Sequence, residues 1–421
     1  MLYKKNKLKN GLRIITAPVK GTQTVTVMIM AGVGSRYESD KQAGLSHFIE
    51  HMFFKGTKKR PTALDISTEL DAVGGEFNAF TSKDKTMYFA KVDAKHIDTA
   101  LDVVSDIYLN SKIDEKEIEK ERGTIIQELN MYEDTPTQNI GDIFENLLYS
   151  PPLGREIIGD KKTLLKLKRK DFIDYINKSY RANDTVVCVA GKFNEKDTIN
   201  KIKKYFSSMA SGVKPKIIKV VENQKKSEIK IKFKKTDQTH FVLGVRAYDF
   251  NHKDRFALSL LSVILGGSMS SRLFIEVREK RGLAYYIKTG TDAYEDAGYL
   301  ATQAGVEHKN LQEAIKVILK EYKKISEIKA DNKELQKAKD FIKGKAIMGM
   351  ESSDEAGMFL IDQEVMKKKI ISLEEKFRAI DKIEINDIIR VAKDVFQNNK
   401  LNLAIIGPHK NLNELKKILK F

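Results

Sequence analysis

The segment GLSHFIEHMFFKGT, residues 44–57, constrains the fold of this chain more than any other part of it. Successive residues of a helix are about 100° apart, so the side chains of such a segment sort into two faces. The apolar face carries Leu45, Phe48, Ile49 and Met52. The opposite face carries His47, Glu50 and His51. We therefore expect a helix that buries one face and presents two imidazoles and a carboxylate on the other.

This polar face suits a metal ion. Two imidazoles one helical turn apart can both reach a single Zn²⁺ at about 2.0–2.1 Å, and the glutamate between them can reach a water on that ion. Manganese or cobalt would accept the same donors. The same three residues could also coat a solvated helix face. Because a catalytic zinc site takes three protein ligands and keeps one open position, the metal hypothesis needs a third ligand from a distant element.

The length of 421 residues exceeds that of a usual single core and predicts two domains of about 200 residues. The lysine-rich stretch around Gly212 and Pro215 has little periodicity and reads as a linker. We predict an N-terminal domain over residues 1–211, a linker over 212–226 and a C-terminal domain over 227–421.

Strand and helix patterns recur in both halves. Residues 76–81 and 85–92 read as a strand pair, and residues 161–180 read as one long helix. The segments that begin at Arg181 and Gln397 share a polar lead, an apolar strand, a glycine turn and an amphipathic helix. This similarity supports a duplicated α+β domain.

Composition limits the alternatives. The single cysteine, Cys188, lies in an apolar run and reads as a buried strand residue rather than a catalytic thiol. There are no eighteen consecutive apolar residues and no signal peptide, so we expect no membrane span and a cytoplasmic location. The net charge of +17 invites a nucleic-acid hypothesis, but the lysines are scattered and lack aromatic stacking partners, so we expect no specific nucleic-acid binding.

With the HFIEH motif in place, the chain resembles the pitrilysin-type inverzincin metallopeptidases, family M16. The likeness is to the short bacterial processing-peptidase-like branch, related to the mitochondrial processing peptidase beta subunit. In that family the third ligand is a glutamate on a helix roughly seventy to eighty residues beyond the second histidine. Glu128, in ERGTIIQELNMYED, has 76 residues between it and His51. The resemblance implies one Zn²⁺ per chain held by His47, His51 and Glu128, with Glu50 as the catalytic base. It also implies that Glu121 supports a ligand.

Two further segments resemble family motifs. In GGEFNAFTSKDKTMYFA, the strand with Asn78, Ala79 and Phe80 resembles the edge to which a substrate peptide adds as an extra strand. An ordinary hairpin would also account for this segment. In LGGSMSSRLFIEVREKRGLAYYI, the resemblance implies that Arg278 and Tyr285 donate hydrogen bonds to the reacting carbonyl. Neighbouring Arg281 and Tyr286 could be confused with them, and a surface ion pair or packed ring is the alternative.

The resemblance implies an α+β fold of two homologous domains, each a mainly antiparallel sheet covered by helices, LuxS- or processing-peptidase-like, that enclose a cleft. No H-x-x-E-H motif occurs after the linker, so the C-terminal domain is expected to lack zinc and to close the cleft. The implied function is a zinc endopeptidase acting on peptides or unfolded segments. A noncatalytic peptide-binding or scaffold subunit is the alternative. The implied assembly is a homodimer, or a heterodimer with an inactive homologue.

Overall fold

The computed structural model describes residues 2–327 and 331–421. They form two compact units, each built from three segments of the chain. The first unit comprises Met1–Asn130, Arg155–Ile218 and Lys345–Leu373. The second unit comprises Met131–Gly154, Lys219–Gly344 and Glu374–Phe421.

The strands divide between one sheet in each unit. In chain order they are β1 (Lys4–Lys7), β2 (Arg13–Pro18), β3 (Thr24–Ala31), β4 (Glu76–Thr81), β5 (Thr86–Asp93), β6 (Thr185–Gly191), β7 (Glu228–Phe233), β8 (Thr239–Ala247), β9 (Ala284–Ala293), β10 (Gly298–Val306) and β11 (Leu401–Gly407).

The helices pack on these sheets. In chain order they are α1 (Leu45–Phe53), α2 (Ala63–Asp71), α3 (Ile97–Asn110), α4 (Glu115–Asp134), α5 (Pro136–Leu148), α6 (Lys161–Leu164), α7 (Arg169–Ser179), α8 (Glu195–Phe206), α9 (Arg255–Gly266), α10 (Leu311–Glu327), α11 (Asn332–Gly349), α12 (Ser353–Lys367), α13 (Leu373–Asp381), α14 (Ile385–Val395) and α15 (Leu412–Ile418). Among the helices of the described residues, none has a long enough apolar stretch to cross a membrane.

The sheet of the first unit has the strand order β1-β2-β6-β3-β5-β4. Its described strand pairs are antiparallel except β2 with β6. Helix α3 packs on β3 and β5, and α12 packs on β6, β3 and β2. Cover on both faces explains why β6, with sequence TVVCVAG, is buried at every position. Strand β4 is left at the edge of the sheet.

The sheet of the second unit repeats this plan without a counterpart of β1, in the order β7-β11-β8-β10-β9. The described pairs are again antiparallel apart from one, β7 with β11. Helices α9, α10 and α14 contribute to the main core on one face, and α5 packs on β11, β8 and β7. The predicted two-domain α+β fold with mainly antiparallel sheets is therefore confirmed.

Each unit takes one helix from the other half of the sequence. Helix α12, which follows residue 226, belongs to the first unit, and α5, which precedes residue 212, belongs to the second. Residues 212–226 contain no helix or strand. The division of the sequence into domains at these residues stays a prediction, since the compact units are not continuous in sequence.

The predicted long helix over residues 161–180 is wrong in one respect, because α6 ends at Leu164 and α7 begins at Arg169. The buried guanidinium of Arg122 on α4 donates hydrogen bonds to the carbonyls of Leu164 and Leu167. The Arg122 side chain therefore satisfies these two carbonyls, which allows the chain to leave helical geometry between α6 and α7.

The packing of α12 can be tested with the single cysteine. Cys188 on β6 is buried, with its Sγ 3.8 Å from the Gly357 carbonyl on α12. A Cβ at Gly357 would lie 2.9 Å from the Met28 side chain and 3.3 Å from Ala190 Cβ. Overpacking of this kind costs about 1–3 kcal/mol, or about 5- to 150-fold in an opening equilibrium. We expect Gly357→Leu to speed labelling of Cys188 by a thiol reagent by about that factor.

The matched control is Gly344→Leu on α11, where a Cβ meets no atom within 4 Å. It should leave the labelling rate of Cys188 unchanged. Equal rates for wild type and Gly357→Leu would contradict the packing of α12 over Cys188.

Candidate metal centre

Helix α1 is fixed at its N-terminus by a buried carboxylate. Glu38 accepts hydrogen bonds from the backbone N–H groups of Gly44, at 2.9 Å, and Ser46, at 2.7 Å. Gly44 has φ of 89°, and a Cβ there would lie 2.4 Å from the Ile158 carbonyl oxygen, so the position requires glycine. A carboxylate on the first amides of a helix satisfies donors that have no partner within the helix.

The two faces of α1 behave as predicted. The apolar stripe is fully buried: Leu45, Phe48, Ile49 and Met52. The Phe48 ring packs edge-on against Phe172 of α7, with centroids 4.8 Å apart. On the other face the residues are half-buried: His47, Glu50 and His51. Burial of the stripe thus sets the orientation of the polar face.

The third predicted ligand lies beside the two histidines. Glu128 of α4 places Oε1 3.7 Å from His47 Nε2 and Oε2 3.6 Å from His51 Nε2. One donor atom from each residue lies within 4.8 Å of the other two. Atoms that each lie 2.0–2.1 Å from one tetrahedral ion are about 3.3–3.5 Å apart. The three donor atoms therefore lie near enough to one another for a single zinc ion to draw them together.

The hydrogen bonds of the imidazoles support this fit. Neither Nε2 atom hydrogen-bonds to a described residue, and His47 Nδ1 is buried without a hydrogen-bond partner among them. His51 Nδ1 lies 2.8 Å from Glu121 Oε1, which favours the tautomer with the proton on Nδ1 and a lone pair on Nε2. The Lys55 ammonium is 2.6 Å from the other oxygen of Glu121. Glu121 thus links His51 to the positive charge of Lys55.

The charges of the site follow from burial and these contacts. Burial, followed by the charge of His51, lowers the pKa of His47 to about 3, so this imidazole is neutral, as a ligand must be. Burial lowers the pKa of His51, but the Glu121 hydrogen bond and the nearby carboxylates outweigh it, so the pKa is raised overall. Burial raises the pKa of Glu128. For Glu121, the bonds from His51 and Lys55 outweigh burial, and its pKa is lowered.

Glu50 is held at one oxygen. Its Oε2 accepts a hydrogen bond of 2.5 Å from the hydroxyl of Thr81, the last residue of β4. Oε1 receives no hydrogen bond from the described residues. Burial raises the pKa of Glu50, and the bond from Thr81 opposes this shift. The free oxygen and the raised pKa are the properties that a general base needs near neutral pH.

The predicted peptide-binding residues lie on the edge strand β4. Asn78 is exposed, and its Oδ1 accepts the N–H of Ala79 at 2.8 Å. Phe80 packs against the apolar cluster beneath α12. Strand β4 pairs on one side with β5, so its other side is the free edge of the sheet. Binding of a peptide to Asn78, Ala79 and Phe80 stays a prediction.

Arg278 and Tyr285 belong to the second unit. Arg278 lies in a π-helix over Phe274–Glu279, and Tyr285 is on the edge strand β9 with 75% of its surface exposed. The guanidinium carbon of Arg278 is 5.8 Å from the centre of the Tyr285 ring, so the two are neighbours. Arg281 instead pairs with Glu276, and the Tyr286 hydroxyl contacts His240. The role of Arg278 and Tyr285 stays a prediction.

Sequence reasoning missed Glu38, Lys55 and Thr81. Thr81 follows the predicted edge residues and shares a face with Ala79, so strand alternation could have pointed to it. Lys55 follows His51 by four residues, just past the end of α1, so the spacing of a continued helical turn could have pointed to it. No sequence pattern of this kind points to Glu38, because its contact with the helix depends on the turn that joins it to Leu45, seven residues later.

The link between His51 and Glu121 makes a testable prediction. Replacing Glu121 by Gln leaves His51 with a neutral partner, and loss of such outer contacts weakens metal binding by about 10- to 100-fold. The control is Glu119→Gln, a mostly exposed glutamate on the same helix that pairs with Arg122. We expect a lower zinc affinity for Glu121→Gln only, measured by competition with a chromophoric chelator. Equal affinities for the two variants would contradict the role of Glu121.

Solved structures share this fold. A protease from Helicobacter pylori superposes with a TM-score of 0.90 at 25% sequence identity, covering 97% of this chain and 99% of that one. A structure described as a peptidase M16 inactive domain, from Pseudomonas fluorescens, gives a TM-score of 0.89 at 17% identity.

Sequence comparisons agree. The family model for insulinase (peptidase family M16) matches residues 13–161, and that for the peptidase M16 inactive domain matches residues 166–341. An uncharacterized zinc protease of Rickettsia felis is 35% identical over 96% of this chain and 97% of its own length. The uncharacterized zinc protease YmxG of Bacillus subtilis is 32% identical over 98% of this chain and 100% of its own length. With this coverage of both halves, the chain belongs to peptidase family M16.

Proposed function

We propose that this protein is a zinc-dependent endopeptidase that hydrolyses peptides or unfolded segments. The observation that carries the proposal is the convergence of His47, His51 and Glu128 beside a carboxylate, Glu50, that has one free oxygen. The fold and the names of the relatives, which are zinc proteases, support the same conclusion.

The donor set fits one zinc ion per chain. It consists of two imidazoles and one carboxylate, the combination found in many catalytic zinc sites. Zn²⁺ supplies a Lewis acid that lowers the pKa of water toward about 7 and polarises a carbonyl oxygen. Manganese and cobalt accept the same donors, so elemental analysis of the purified protein identifies the resident ion.

In this proposal Glu50 moves the proton. Its Oε1 accepts the proton of the attacking water, and the resulting carboxylic acid donates it to the departing amine. Burial of Glu50 favours this role, because a raised pKa brings the carboxyl closer to neutral pH. Arg278 and Tyr285 are the proposed donors to the oxygen that becomes negative, and β4 is the proposed edge for an extended peptide.

The decisive substitution is Glu50→Gln, which removes the base but adds no bulk. We expect at least a 100-fold loss of kcat on a quenched peptide, within the range of about 10²–10⁴ for general base catalysis. Zinc content should stay at the wild-type level, because Glu50 is not one of the three ligands. Glu119→Gln, exposed on α4, is the control and should retain turnover.

Metal removal separates a peptidase from a noncatalytic subunit. We expect a chelator to abolish cleavage and added zinc to restore it, and zinc to raise the melting temperature of the apoprotein through binding to the folded state. A clean, zinc-loaded protein that cleaves no member of a broad peptide library would instead support the scaffold alternative.

Assembly and location are also proposals. We propose a homodimer, or a heterodimer with an inactive homologue, acting in the cytoplasm. Light scattering of the purified protein measures its oligomeric state. Fractionation of the source cells shows whether the protein is in the cytoplasm. Neither result affects the chemistry assigned to Glu50.

A further inference from the structure

The hydroxyl of Thr81 touches the proposed base from the proposed substrate strand. Side chains alternate along a strand, so residues 77, 79 and 81 of β4 share one face. That face meets α1: the Phe77 ring lies 6.2 Å from the Phe54 ring, just past the end of α1, and Thr81 Oγ1 donates to Glu50 Oε2 at 2.5 Å. One strand therefore carries both the peptide-binding positions and a hydrogen bond to the base.

This hydrogen bond restricts the base. The terminal torsion of a glutamate is broad, so a lone carboxylate can turn and present either oxygen. A hydroxyl hydrogen-bonded to a charged carboxylate makes a short, strong bond, and here it engages Oε2 only. The carboxylate plane is then fixed with Oε1 free. Among the described residues, Thr81 is the one hydrogen-bond donor to Glu50.

We propose that Thr81 is a positioning residue for Glu50, which ties the orientation of the base to the edge strand β4. The proposal rests on the proposed peptidase function. Thr81 does not touch the three metal-binding residues, so its loss should slow turnover without weakening zinc binding. A residue that only stabilised the fold would instead lower the melting temperature and leave kcat per folded molecule unchanged.

The experiment compares Thr81→Val, which removes the hydroxyl at nearly constant shape, with Thr81→Ser, which keeps it. We expect Thr81→Val to lower kcat by about 10-fold or more, with KM within 2-fold of wild type and unchanged zinc affinity by chelator competition. Thr81→Ser should restore kcat to within about 3-fold of wild type. A Thr81→Val enzyme with wild-type kcat, or a folded Thr81→Ser enzyme as slow as Thr81→Val, overturns the proposal.

The matched control is Thr86→Val in the partner strand. Thr86 pairs with Thr81 across the hairpin, but its hydroxyl donates to the Val33 carbonyl at 2.9 Å rather than to Glu50. Thr86→Val removes a buried hydroxyl from the same hairpin. It therefore measures how the loss of a hydroxyl that does not contact Glu50 changes kcat and the melting temperature. We expect its kcat to equal that of wild type even if its melting temperature falls.

A readout independent of turnover separates this proposal from the function on which it rests. Crystal structures of zinc-loaded wild type and Thr81→Val should show a single Glu50 carboxylate orientation in the first and a turned or split one in the second. The same orientation in both overturns the role of Thr81. If wild type binds zinc but cleaves no peptide, the peptidase proposal fails, while the carboxylate orientations still decide whether Thr81 positions Glu50.

Discussion

Burial of the apolar stripe of α1 is the interaction on which the candidate centre depends. Phe48 packs against α7, and Phe53 stacks on Tyr88 of β5 with ring centroids 5.0 Å apart. These contacts fix the rotation of the helix about its axis, and Glu38 fixes its start. With both set, His47, Glu50 and His51 can only face α4 and the end of β4. The polar groups are thus placed by the apolar packing behind them.

The comparison of the two units shows what the same fold does without the polar face. Helix α9 packs against the edge strand β9, as α1 lies against β4 in the first unit. Its sequence, RFALSLLSVILG, has neither histidine nor glutamate, and most of it is buried. In the second unit this helix packs on β9 and belongs to the main core. Apart from β1, which has no counterpart in the second sheet, the two sheets share their strand order, and the helix beside the edge strand differs in its side chains.

Local patterns predicted much of this structure. The helical periodicity of α1 predicted its buried and polar faces, and the family resemblance pointed to Glu128 as the candidate third donor, which the structure places beside His47 and His51. The interruption at residues 165–168 was not predictable, because its carbonyls are satisfied by Arg122, more than forty residues earlier. The placement of α5 and α12 also depends on packing between residues far apart in sequence, which the spacing of apolar residues within a helix does not predict. Strand alternation could place Thr81 on the same face as Ala79, but its contact with Glu50, thirty-one residues away, depends on how α1 packs against β4.

The placement of α12 has a consequence for synthesis of the chain on the ribosome. Strands β2, β3 and β6 exist once residue 191 has emerged, yet the apolar side chains that α12 covers, such as Met28 and Cys188, have no cover until residue 367 follows. For about 175 residues of elongation this sheet must stay partly open or be shielded by a chaperone. The half of the sequence that carries the candidate centre therefore matures late, after most of the second half has been made.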